Sequence, residues 1–223
     1  GTGKSDASEA TNKIAYLFTG QGTQYVGMGS GLYQSQPVFR AAIDRCRELV
    51  KKHSDNSQAE FFSVQYALAE LWRSWGITPA AVLGHSLGEY AAACVAGVFD
   101  LETAIELVAT RSRLMDSLPE RGTMAVVMAD ESRVALALRP FGDKLSIASI
   151  NGLETIVISG STEAVHQILT EFASEGVDTE LLDTSQAGHS KLIDPMLEPF
   201  AAAALRFKYS SPRLDLISNV SGT

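Results

Sequence analysis

Two short stretches of this chain place serine and histidine where they could do chemistry, and a third carries two arginines. The first is Gly84-His85-Ser86-Leu87-Gly88, a serine set between two glycines. The pattern gains meaning from its flanks. Ala81-Val82-Leu83 reads as a brief apolar strand, and an alanine-rich helix begins at once after Gly88. A sharp strand-to-helix bend needs glycines around the serine, because side chains there would strike the neighbouring backbone, and it leaves the hydroxyl exposed at the helix N-terminus. The chemistry offered is nucleophilic, through a covalent ester on Ser86. A serine hydroxyl is a poor nucleophile at neutral pH, so a base within hydrogen-bonding reach is required. The plainer alternative is an N-cap serine in an ordinary strand–helix turn.

The chain offers four histidines for the base. His53 lies in the polar segment KKHSDNSQ, a solvated loop, and His166 falls on the polar half of a helix. His85 is adjacent to Ser86, and neighbouring side chains on such a turn point apart, so it is better suited to ordering the turn. His189 remains. Elimination leaves it open between a base and a capping or satisfied surface histidine. The third stretch is Arg111-Ser112-Arg113-Leu114-Met115, which on residue type alone could be no more than a helix surface.

These residues must be positioned by the surrounding elements. Ile14 to Phe18 is a short apolar run, read as a buried strand, and it ends in the turn Gly20-Gln21-Gly22. Helical spacing covers Val38 to Val50 and Phe61 to Trp75, with Gly76 and Pro79 closing the second helix. After the serine bend the pattern changes. Thr123 to Ala129 reads as a strand, Glu131 to Phe141 as a helix, Leu145 to Ile150 and Thr155 to Ser159 as strands joined by a hairpin at Asn151-Gly152, Thr162 to Ser174 as a helix, and Val177 to Leu182 as a strand. The order βαββαβ is that of a ferredoxin-like unit inserted into a larger α/β domain. The domain division is 13–122 with 185–223 for the large subdomain and 123–184 for the insertion. Residues 1–12 are polar and small, a linker or cloning remnant.

Composition removes several classes. With 223 residues, 45% of them hydrophobic and 20% charged, the chain reads as an ordinary globular protein. A net charge of -8 without any basic run argues against nucleic acid. No apolar stretch is long enough for a bilayer span, so no membrane is expected. Cys46 and Cys94 lack CxxC spacing or a histidine cluster, which excludes a disulfide framework and disfavours zinc. No metal site, phosphate-binding loop or dinucleotide fingerprint is found, and a reducing cytoplasm is the simplest location.

The stretches FTGQGTQYVGMG at 18–29, YALAELWRSWGI at 66–77, GHSLGEYAAACVAGVFDLE at 84–102, RSRLMDSLP at 111–119 and GHSKLIDPMLEPF at 188–200 together resemble the malonyl-CoA:acyl-carrier-protein transacylases and, more closely, the acyltransferase domains of modular polyketide synthases. The resemblance implies an α/β-hydrolase-like large domain carrying a ferredoxin-like insertion. It also implies a function, the movement of a malonyl or α-substituted malonyl unit from coenzyme A to the phosphopantetheine thiol of an acyl carrier protein. Ser86 would be the nucleophile and His189 its base in a Ser-His dyad without an acidic third member, so Asp194 would be structural. Backbone N–H groups of Gln21 and Leu87 would form the oxyanion hole, and Arg111 would bind the malonyl carboxylate. His85, Gln58 and Gly188 would line the substrate pocket. The coenzyme A thioester is a substrate, with no bound cofactor, and neighbouring polyketide synthase domains are implied partners.

The chain departs from the family at three places. The residues ending in the histidine are Gln186-Ala187-Gly188-His189, where malonyl-selective relatives carry His-Ala-Phe-His and methylmalonyl-selective ones Tyr-Ala-Ser-His. Gly188 removes the bulk that would crowd a branch on the α-carbon, which favours a substituted malonyl group, although Leu87 is more typical of malonyl enzymes. The segment SQAEFF around Gln58 stands where the family has Gln-Pro-Ala-Leu. The family pattern also continues beyond Thr223 with a further strand and closing helices. Rival readings are a hydrolase on the same scaffold, a non-catalytic docking module and, last, an ordinary lipase or esterase.

Overall fold

A computed structural model of the chain describes residues 13–52, 57–184 and 186–223. The stretch 1–12 and His53 lie outside the described residues. The described chain packs as two units, one of its residues from 13 to 108 with 208–223 and the other of its residues from 109 to 207.

The first unit is built on a parallel sheet of three strands in the order β1-β2-β7, with β1 at Ala15–Phe18, β2 at Ala81–Gly84 and β7 at Asp215–Ile217. Between β1 and β2 run α1 (Ser30–Ser35), α2 (Pro37–Val50) and α3 (Ser57–Ser74), and α4 (Gly88–Ala96) and α5 (Leu101–Asp116) follow β2. Pro37 opens α2, where its missing N–H costs nothing. Asp100 caps α5 by accepting from the Thr103 N–H at 2.8 Å, and that bond holds the Asp100 carboxyl below its ordinary pKa. Phe62, Val82, Leu87, Ile105 and Val108 are buried in the core of this unit. Each side chain of that size contributes about 1.5–3 kcal/mol by leaving water.

The second unit holds an antiparallel sheet in the order β4-β5-β3-β6, formed by β3 (Gly122–Val127), β4 (Leu145–Gly152), β5 (Thr155–Ser161) and β6 (Thr179–Leu181). Helices α6 (Glu131–Leu138) and α7 (Thr162–Ser174) cover it. Ala125 and Val127 on β3 and Ile156 and Ile158 on β5 alternate toward one face, where Val134, Val165 and Ile168 pack against them. Asp130 and Ser161 cap α6 and α7 through their side chains.

Several elements differ from the sequence pattern. Helix α6 stops at Leu138 and continues as a 3-10 turn, Arg139–Lys144, because Pro140 cannot donate to the helical ladder. The hairpin between β4 and β5 turns at Leu153-Glu154, two residues later than Asn151-Gly152. Two register shifts in β4 bring Gly152 opposite Thr155. Helix α3 begins at Ser57, so Gln58 lies in its first turn and is buried. The final strand of the unit is only three residues long. Beyond it lie a 3-10 turn at Lys191–Ile193 and α8 (Asp194–Ala204), where Asp194 pairs with Lys191 at 3.5 Å on the surface.

Candidate functional site

Ser86 sits on the bend between β2 and α4. Its backbone has φ 51, and His189 has φ 61; among the described residues these are the non-glycine positions in the left-handed region. That conformation is costly for a residue with a Cβ and persists only where the surroundings fix it, which is commonest at functional sites. The two residues that the sequence singled out for chemistry therefore share a backbone feature that no sequence pattern displays.

The bend is locked from several sides. The His85 N–H donates to Phe18 O at 2.8 Å, Gly88 N–H to His85 O at 2.9 Å, and Glu89 N–H to Ser86 O at 3.0 Å. The Asn219 side-chain amide donates to the Gly84 carbonyl at the base of the bend. Asn219 was not foreseen; its signal would have been the polar turn Ser218-Asn219 following an apolar strand. Leu87 is the N-cap position of α4, so its N–H belongs to the group that points out of the helix start. Its side chain is fully buried and anchors the turn from below.

The glycines flanking Ser86 have no room for a side chain. A Cβ on Gly84 would stand 2.2 Å from the Gly88 backbone, and one on Gly88 would stand 2.2 Å from the Phe18 carbonyl oxygen. Gly88→Ala is expected to destabilise the protein by about 3 kcal/mol, the upper part of the range for overpacking, because backbone rather than a flexible side chain must move. Urea unfolding checks this, and a midpoint equal to the parent's would show that the strand–helix contact is slack.

Strands β1 and β2 run parallel with Phe18 opposite Gly84, so the Gly20-Gln21-Gly22 turn and the Ser86 bend leave the sheet at the same, carboxyl-terminal edge, the usual position for a ligand site in an open α/β sheet. Their approach is close: a Cβ on Gly20 would lie 2.7 Å from His85 Nδ1. Gln65 of α3 donates to Thr19 O at 2.7 Å, and Thr23 Oγ1 donates to Gly20 O at 3.1 Å, which fixes the turn carrying Gln21. His85 is exposed beside the bend.

Arg111, Gly188 and His189 belong to the second unit. Arg111 is half-buried on α5, whereas Arg113 is exposed. Gly188 is buried, and a Cβ there would meet Met124 Sδ at an ordinary contact distance of 3.9 Å, so a small side chain fits without strain. His189 is exposed on the loop that follows β6. Ser190 secures that loop by donating to Ala187 O at 2.7 Å and accepting from the Leu192 N–H at 3.3 Å. His166 is exposed on α7. Burial pushes the Cys46 thiol up to about 11 and the Cys94 thiol to about 12, so neither is a thiolate near neutral pH. Among the described residues there is no group of three or more metal-ligating side chains, and no helix is long and apolar enough to cross a membrane.

What the arrangement can do chemically is present a serine hydroxyl at a helix N-terminus beside a glycine-rich turn. Comparison with known proteins agrees on the class. The acyl transferase domain family matches residues 15–57 and 53–223. Mycoketide-CoA synthase of Mycobacterium tuberculosis is 40% identical over an alignment of 232 positions, gaps included, that covers 96% of this chain and 6% of that protein. The solved acyltransferase domain from the second module of the salinomycin polyketide synthase is 38% identical with a TM-score of 0.87, covering 94% of this chain and 53% of the other. A malonyl-transacylase solved in complex with a type II polyketide synthase acyl-carrier protein is 25% identical with a TM-score of 0.86, covering 95% of this chain and 75% of the other. The chain thus spans a small part of the curated synthase and about half of the salinomycin domain. On its serine bend, its matched motifs and this coverage, the chain belongs to the family of acyltransferase domains found in modular polyketide synthases.

Proposed function

We propose that this chain transfers a malonyl or α-substituted malonyl group from coenzyme A to the phosphopantetheine thiol of an acyl carrier protein through an ester on Ser86. The observation that carries this reading is the Ser86 bend itself, a left-handed serine held at the start of α4 between two glycines that admit no side chain. In the first half-reaction His189 takes the proton from Ser86 Oγ as the oxygen attacks the thioester carbon. The carbon–sulfur bond breaks, and the imidazolium returns the proton to the departing coenzyme A thiolate. In the second half the carrier thiol gives its proton to His189, its sulfur attacks the Ser86 ester, and Ser86 leaves as a reprotonated alcohol.

The Gln21 and Leu87 N–H groups are assigned to the oxyanion. The α4 start and the glycine-rich turn supply backbone donors there without side-chain crowding, and one such donor is typically worth a hundred- to a thousandfold in rate. Arg111 holds the malonyl carboxylate by a planar, two-pronged contact. His85 and Gln58 complete the pocket lining. The carrier protein is supported as partner by the relative solved with one. Coenzyme A enters as a substrate, and the reaction needs no bound cofactor or metal because every proton moves between side chain and thiol. Neighbouring synthase domains and a cytoplasmic setting follow from the same assignment.

The finer fold reading is an α/β-hydrolase-like large domain, 13–122 with 185–223, around a ferredoxin-like insertion, 123–184. It is supported by the parallel sheet under the serine bend and by the βαββαβ order and the β4-β5-β3-β6 arrangement of the second unit.

Intact-mass measurement after incubation with malonyl-, methylmalonyl- and ethylmalonyl-CoA, with and without holo carrier protein, tests the reading. The expected result is an acyl mass on this chain that moves to the carrier when carrier is added. Free acid without labelled carrier would instead favour hydrolysis. Gly188→Phe is expected to lower the ethylmalonyl-to-malonyl ratio of kcat/KM about tenfold, since one or two methylenes in a pocket are worth roughly 1–3 kcal/mol. A ratio unchanged from the parent would remove Gly188 from the pocket.

A further inference from the structure

Helix α5 carries Arg111, and the loop after β6 carries Gly188 and His189. Within the second unit these two elements are joined by a side-chain bond: Gln186 Nε2 donates to Asp116 Oδ1 at 2.7 Å. Both residues stand where another explanation for them is weak. Asp116 is the last residue of α5, and a carboxylate at a helix C-terminus opposes the helix dipole. A residue type that local preference disfavours there is a sign of a task elsewhere. Gln186 is the first residue of the segment that ends in His189, three positions from a backbone held in the left-handed region.

Such a backbone needs supports on more than one side. Other bonds of the loop tie it to itself and to β3. Gln186 N–H donates to Thr184 Oγ1 at 3.2 Å, Ser190 Oγ donates to Ala187 O at 2.7 Å, and Thr123 Oγ1 donates to Thr184 O at 3.2 Å. Buried Ala187 packs where a Cβ on Gly122 would stand, 2.7 Å away. The Gln186–Asp116 bond reaches in a different direction, to the helix of Arg111. Met115 and Asp116 of α5 and Gln186, Ala187 and Leu192 beyond β6 line one small cavity of about 10 Å³. The two elements thus border the same small cavity, and the charge-assisted Gln186–Asp116 bond links them.

We propose that Asp116 and Gln186 form a positioning pair that fixes the Gly188–His189 loop relative to Arg111 and thereby sets which acyl groups are accepted. The inference rests on the assignment of Arg111 to the substrate carboxylate. A malonyl group is then held at both ends, by its carboxylate on α5 and by its reacting carbon beside the loop. An acetyl group has no carboxylate and is held at one end only. Loosening the pair lets the two elements drift and penalises the doubly held substrate, because a small misplacement of a bound group costs much of the advantage of orientation.

The test uses this chain with Gln186→Ala, Asp116→Ala and the double change Asp116→Asn with Gln186→Glu, which reverses donor and acceptor. Acyl loading is followed by intact mass with malonyl- and acetyl-CoA, and amide hydrogen exchange is read over residues 186–190. The alanine variants are expected to lose roughly five- to tenfold in kcat/KM for malonyl, within the range of measured pairwise couplings, and less than twofold for acetyl. Loop exchange quickens in both, and the reversed pair restores loading and protection to within twofold of the parent. Equal losses on malonyl and acetyl would reduce the pair to a fold contact, and parent-like loading or a failure of the reversed pair to restore it would overturn the proposal. Unchanged loop exchange would overturn it even in a parent that loads no acyl group, an outcome that separately defeats the assignment of Ser86.

Discussion

Ser86→Ala takes up no acyl group from malonyl-CoA while keeping the parent's unfolding midpoint to within about 1 kcal/mol. The expectation follows from the geometry of the bend. Alanine occupies the same left-handed backbone, φ 51, with the same Cβ, so the turn keeps its hydrogen bonds from Gly88 and Glu89. What disappears is the oxygen that would carry the ester. Loss of a covalent nucleophile removes the acyl-enzyme altogether, and residual transfer in solution falls by about a thousandfold or more. His189→Ala is expected to retain the hydroxyl but slow acylation by roughly 10² to 10⁴, the usual worth of a positioned base. Intact mass and stopped-time acylation read the two variants separately. Acyl mass on the Ser86→Ala protein would place the nucleophile elsewhere, and His189→Ala loading at the parent's rate would return that histidine to a structural role.

Arg111→Ala is the second large effect. The guanidinium is assigned to a substrate carboxylate, and removing it leaves that charge desolvated without its partner. Truncating one side of a buried, hydrogen-bonded charge pair costs on the order of 3 kcal/mol, roughly a hundredfold in kcat/KM for malonyl. Acetyl-CoA, lacking the carboxylate, is expected to load at the parent's rate or faster, so the selectivity ratio inverts rather than both rates falling. Arg111→Lys keeps the charge but loses the planar two-pronged contact, and its malonyl rate should fall between the two. Parallel losses on malonyl and acetyl would make Arg111 a fold residue of α5. Arg111 is half-buried, whereas Arg113 two residues on is exposed.

Legibility of this chain varied with the range of the forces involved. Helix α7 was readable to the residue, Thr162–Ser174, because Ser161 caps one end and Gly176 breaks the other, both local signals. Apolar spacing carries the expected helix α6 three residues too far, through Phe141, whereas Pro140 removes a donor that the helix needs. The β4–β5 hairpin was legible as a hairpin, yet its turn slid to Leu153-Glu154, because register is decided by cross-strand packing and by the bulges in β4. Strand β7 was missed. Three residues of sequence carry too little alternation, and pairing with β2 supplies the reason it exists.

The sequence by itself determined the chemistry on offer. A serine between two glycines, flanked by a strand and a helix, forces a bend, since no larger residue fits at Gly84 or Gly88. The same local logic marked Gly20-Gln21-Gly22 as a turn and left His189 open, while Arg111 was singled out only by the resemblance to a family. Tertiary structure decided what one-dimensional spacing cannot encode. It held Ser86 and His189 in a backbone conformation they would not choose alone, brought the Gly20 turn against His85, set Asn219 beneath the bend from more than a hundred residues away, and tied Gln186 to Asp116 across seventy. Those are long-range contacts. Their free energy arises only when distant segments have already been brought together by the burial of the two cores, so nothing in the residues nearby announces them.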